Sequence, residues 1–117
     1  MKRVLLPHAV VVLAIAAWAS GRLSEPAYLA IVAAGHLAIP LWAIWSTARA
    51  ERWRAFLLGP GTAIAAHAAA IALVAISLIG GAPEGTWISW MLLTAWAAAL
   101  AIYTAYCAIV FGLAARR

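Results

Sequence analysis

Acidic residues are nearly missing from this chain. Glu25, Glu51 and Glu84 are the only three, against eight Lys and Arg, and charged residues of both signs fill only 9% of its 117 positions. A soluble domain carries about 25% charged residues. So sparse a set cannot cover a water-facing surface, which excludes a soluble globular domain, a disordered tail and a coiled coil. Cysteine is scarce too: a lone Cys107 forms no internal disulfide and leaves the redox compartment unread. The alternation of apolar and polar residues that marks a membrane β-barrel is absent. No Asp or Glu falls within an apolar run, although proton-coupled transporters and cation carriers usually need such a carboxylate as the charge that is relayed or paired.

What is present is apolar length. Hydrophobic residues make up 68% of the chain and the mean hydropathy is +1.03. Four apolar runs, about residues 4–20, 27–46, 55–79 and 87–114, are separated by short polar or glycine-rich stretches. Each has the ~17 or more residues that a helix needs to cross a hydrocarbon core. In lipid the backbone has no partner but itself, so the runs are expected to be helices. The expected fold is all-α, a single transmembrane domain formed by a four-helix bundle.

Lys2, Arg3, Arg49, Arg52, Arg54, Arg116 and Arg117 fall on one side of this arrangement and Arg22 alone on the other. That asymmetry places both termini and the middle loop in the cytoplasm of a bacterial-type inner membrane. The net charge of +5 therefore reads as topology, and nucleic acid is not implied as a partner. Trp18, Tyr28, Trp87 and Trp90 fall near the outer ends of the runs, and Trp42, Trp45, Trp53 and Phe111 near the inner ends, as interfacial aromatic belts require. Lys2-Arg3 and Ala17-Trp18-Ala19 imitate a cleaved signal peptide, but the apolar stretch between them is long for one. Within residues 48–58, Trp53 and Phe56 stand among Arg49, Arg52 and Arg54. This composition suits a short helix on an anionic lipid surface, and Gly59-Pro60-Gly61 marks a kink or the start of the third span.

The candidate chemistry lies with the histidines. His8 sits near the inner end of the first run. Helix rise puts His36 about 15 Å from the inner end of the second span and His67 at a comparable depth in the third; Tyr103, Tyr106 and Cys107 of the fourth share that level. Pro40 removes the donor that would serve the His36 carbonyl, so Tyr103, Tyr106 or a water is expected to reach it. Two imidazoles on facing helices are a donor set for a b-type haem, with Tyr103 and Tyr106 behind them and Arg49, Arg52 or Arg54 pairing with propionates; a quinone or metal site is a variant. The competing reading is packing, each imidazole bonded to groups on neighbouring helices. Along the fourth run Ser89, Trp96, Tyr103 and Val110, with a companion row Leu92, Ala99, Tyr106 and Leu113, repeat every seven residues, a seam for a helix pair.

Nothing else supplies a catalytic constellation. The expected role is an accessory or anchoring subunit of a larger membrane complex, or a homo-oligomer, with the lipid bilayer as its other partner. Haem-based electron transfer through His36 and His67 is the alternative, and a small uncoupled channel or carrier the second alternative. Reporter fusions after Ser24 and Glu84 are expected to report the outside and fusions at Glu51 and Arg117 the cytoplasm; a cytoplasmic signal at Glu84 would sink the four-span topology.

Overall fold

A computed structural model of the chain describes residues 2–81 and 86–117. The Pro83–Glu84 part of the expected last loop lies outside them. The described residues are helical with no strand. A 3-10 turn, Lys2–Leu5, leads into α1 (Leu6–Ala19), followed by α2 (Glu25–Trp45), a short α3 (Arg52–Phe56), α4 (Thr62–Gly80) and α5 (Thr86–Ala115). Four helical stretches, Lys2–Ala19, Glu25–Trp45, Arg49–Gly80 and Trp87–Ala115, are long and apolar enough to cross a membrane.

The turn between α1 and α2 follows from local chemistry. Gly21 takes φ +73°, a left-handed conformation that glycine adopts without a Cβ penalty. The Arg22 N–H then reaches the Ala17 carbonyl at 2.8 Å and the Gly21 N–H reaches Trp18 at 2.9 Å, the paired bonds of a Schellman close. α2 restarts at once, with an extended Ser24 before it and Glu25 and a proline in its first turn. Both suit a helix start, an acid against the positive end of the dipole and a residue with no N–H to leave unpaired. Trp18 and Tyr28 stack across this turn at 4.7 Å.

Between α3 and α4 the helix does not break. Leu57–Gly61 winds as a π-turn through Gly59-Pro60-Gly61, so the arginine-rich helix and the long helix form one bent rod. A π-turn absorbs the extra residue that Pro60 cannot accommodate in regular α-geometry. Thr62 donates its hydroxyl back to the Leu57 carbonyl at 3.1 Å.

The helices pack as two antiparallel pairs, α1 with α2 and α4 with α5, joined where α2 meets α3, the π-turn and α5. The close packing is concentrated at that junction. Val4, Ile39, Pro40, Ala43, Ala55 and Pro60 are almost fully buried there. Trp42 ties the amino-terminal turn to α2 by donating to the Arg3 carbonyl at 2.6 Å. At the far end of the α4–α5 pair the side chains face outward: Ile79 and Trp87 are 77% and 70% exposed.

Gly35 sets the approach of α1 to α2. A Cβ added there would stand 2.5 Å from Cγ2 of Val11, and a β-branched neighbour cannot swing aside. Gly112 in α5 has no such neighbour within 4 Å. Gly35→Ala is expected to cost about 1–3 kcal/mol through overpacking, while Gly112→Ala should gain about 0.5–1 kcal/mol of helix stability. Unfolding titrations of the two variants in mixed micelles check the opposite signs.

Candidate functional site

Three helices meet in one polar layer. α2 contributes His36, α4 contributes His67, and α5 contributes Trp96 and Tyr103. Nε2 of His36 lies 2.8 Å from Nε2 of His67, with ring centroids 5.0 Å apart. Nδ1 of His36 meets the Val32 carbonyl at 2.7 Å. The Trp96 indole N–H donates to Nδ1 of His67 at 3.2 Å.

These partners fix every proton. A carbonyl only accepts, so Nδ1 of His36 carries hydrogen. An indole N–H only donates, so Nδ1 of His67 is bare. A neutral imidazole has one N–H, and that of His67 therefore sits on Nε2 and donates to the bare Nε2 of His36. Three donors serve three acceptors in one direction, from Trp96 through His67 and His36 to Val32. The row ends in a carbonyl, which accepts a hydrogen bond but takes up no proton, and begins in an indole that does not release its own, so the arrangement as it stands is a structural tie.

The carbonyl freed by Pro40 is met from α5. Tyr103 donates to the His36 carbonyl at 3.0 Å, and Tyr106 donates to the next one, Leu37, at 3.0 Å. The Tyr103 ring also stands edge-on to His36. α2 and α5 are thus joined by two hydroxyl bonds at the level where α2 carries its proline.

A cleft of about 250 Å³ opens beside the layer, lined by His36, His67, Trp96, Ala99, Leu100 and Tyr103. It falls below the roughly 300–1,000 Å³ of ordinary small-molecule sites. For one metal ion to be held by both rings, two bonds of about 2 Å each must separate the Nε2 atoms by about 4 Å, against 2.8 Å as they stand. His67 would also have to move its proton to the nitrogen that faces the Trp96 N–H, setting donor against donor. His36 already shows the arrangement common among metal-bound histidines, its other nitrogen donating to a carbonyl.

The arginines do not extend toward this layer. Arg49 donates to the Ala115 carbonyl at 3.1 Å and Arg52 to the Ala114 carbonyl, while Arg54 lies over the Trp53 ring at 5.2 Å from its centroid. Ala114 is eleven residues beyond Tyr103, about 16 Å along α5. Arg49 and Arg52 cap the negative end of the α5 dipole, where cations are favoured.

Two further contacts have weak signals in the sequence. His8 donates from Nε2 to the Gly59 carbonyl at 3.0 Å, pinning α1 to the π-turn; the only hint is a glycine-proline tract needing donors near the level of a lone polar residue. The spacing of the heptad seam includes Trp96 but says nothing of its indole bond. The seam itself divides. Ser89, Trp96, Tyr103 and Val110 are half-buried, whereas Leu92, Ala99 and Leu113 of the companion row are exposed.

No protein-family model matches the chain, and no curated protein or solved structure matches it either.

The Pro40–Tyr103 pairing is testable by a double-mutant cycle. Tyr103→Phe alone leaves the His36 carbonyl without its hydroxyl donor and should cost about 0.6–1.7 kcal/mol, the range for interhelical bonds in membranes. In a Pro40→Ala background the restored N–H at position 40 serves the same carbonyl, and the cost should fall toward zero. An unchanged cost would show that the hydroxyl acts elsewhere.

Proposed function

We propose that the chain is a four-span protein of a bacterial-type inner membrane, with both termini and the Arg49–Arg54 segment cytoplasmic, that serves as an accessory or anchoring subunit of a larger membrane complex or assembles with copies of itself. The observation that carries this reading is the use of the central polar groups. His36, His67, Trp96, Tyr103 and Tyr106 bond to groups on this chain's own helices, so the layer holds the bundle together instead of facing a substrate. The outward faces of α4 and α5 support the same reading. Leu73, Ile76, Leu92 and Ile102 are between 63% and 72% exposed, an apolar surface suited to lipid and to another membrane helix.

A second reading draws support from one observation, the two Nε2 atoms facing each other between α2 and α4. That is the donor pair of a bis-histidine haem, reached by parting the rings and turning the His67 tautomer over.

One preparation separates the readings. With haem supplied during expression, the purified protein is expected to be colourless, and a Soret band lost in both His36→Ala and His67→Ala would establish the haem reading instead. In a Cys107→Ala background, Leu92→Cys is expected to crosslink to a second polypeptide in the membrane. Monomers alone, at Leu92→Cys and at Leu73→Cys alike, would overturn the subunit reading.

A further inference from the structure

We infer that the Arg49–Arg54 segment and the end of α5 form a binding site for one anionic glycerophospholipid, an inference that rests on the proposed placement of this segment at a membrane face. Two apolar grooves flank α5 and share one guanidinium. The first, about 430 Å³, lies between α3 and α5, where Trp53, Phe56, Leu57 and Phe111 line it together with Arg52. The second, about 360 Å³, lies between α2 and α5, where Leu41, Ile44, Val110 and Leu113 line it, again with Arg52. Phe111 and Val110 precede Ala115 and Ala114 by four residues each, so both grooves run one turn, about 5.4 Å, inward from the arginine level.

The charge at their meeting point is held in place. Arg49 is steadied by the Ala115 carbonyl and by the Arg117 oxygen at 3.3 Å, and Arg52 by the neutral carbonyl of Ala114, which orients its guanidinium without cancelling its charge. No acidic side chain lines either groove. Arg54 and the 61% exposed ring of Trp53 stand beside the first groove, at the position that tryptophan takes among lipid headgroups. One anionic head over the arginines with one acyl chain entering each groove matches this shape, and basic pockets between helices on the cytoplasmic side are known to hold anionic headgroups. A free phosphate would meet the arginines but leave both grooves without a role.

The test uses the full chain in nonionic detergent, with bound lipid counted by native mass spectrometry as phosphatidylglycerol, phosphatidylcholine or inorganic phosphate is added. One phosphatidylglycerol per chain is expected. At about fivefold per arginine near a charged lipid surface, the double variant Arg49→Gln with Arg52→Gln should weaken its binding about 25-fold. Ala115→Trp fills the first groove while keeping both arginines, so it should lose the lipid even if the double variant folds poorly. Equal binding of phosphatidylcholine, displacement by equimolar inorganic phosphate, or undiminished binding in Ala115→Trp would each overturn the site. Reporter fusions at Glu51 read membrane placement separately, so a chain that keeps Glu51 cytoplasmic but retains no phosphatidylglycerol refutes the lipid site alone.

Discussion

A chain this apolar offers its backbone few polar partners, and its structure is governed by what becomes of each backbone group that a helix fails to pair. Pro40 creates the sharpest case. It deprives the His36 carbonyl of its ordinary donor, and the hydroxyl of Tyr103 supplies another at 3.0 Å. At the π-turn around Pro60 the Gly59 carbonyl accepts from the Thr62 N–H and also from the His8 imidazole, a second tie from a distant segment. The end of α5 poses the problem again and is met by Arg49 and Arg52. In each case the group that answers comes from a distant segment. Local irregularities in the backbone are therefore converted into long-range ties, and these ties decide which helices become neighbours.

This logic also explains why packing is uneven. Pro7, Pro40, Pro60, the bent rod and the amino-terminal turn lie toward one end of the bundle, and there small residues let backbones close up: Ala43 and Ala55 are fully buried. Toward the other end the α1–α2 turn resolves its own backbone groups locally, and nothing among the described residues draws the two helix pairs together. In the proposed membrane setting, apolar surface drives no association between helices already surrounded by lipid. The α4–α5 pair accordingly keeps most of its side chains outward.

Much of this can be read from residue order. Four long apolar helices follow from composition and run length, and the shared level of His36 and His67 follows from helix rise across a short connection. The vacancy at the His36 carbonyl follows from Pro40 alone. Facing direction does not follow. In helices where nearly every position is apolar, heptad spacing marks two equivalent rows, and only tertiary packing turns Trp96 and Tyr103 inward and leaves Leu92 and Leu113 outward. The link from Trp96 to His67 was hidden for the same reason, because an indole in an apolar run looks like any large side chain. The arginine caps were hidden because a positive-inside count treats each cation as a topological marker and ignores the carbonyls it can reach.

The one-way order of bonds from Trp96 to Val32 makes the layer a lock with a single key. An alanine-rich helix surface is nearly self-similar, and sliding one helix by a residue exchanges one small apolar contact for another at little cost. In the polar layer the same slip turns a side chain by about 100° and moves it about 1.5 Å. The indole then points away from the only bare nitrogen of His67, and His67 points away from the only bare nitrogen of His36. Because neither end of the row can exchange donor for acceptor, no reversed or shifted arrangement satisfies it. Most of the bundle's surface can tolerate an error in alignment; these few atoms reject it, and the geometric uniqueness of the whole assembly is stored in them.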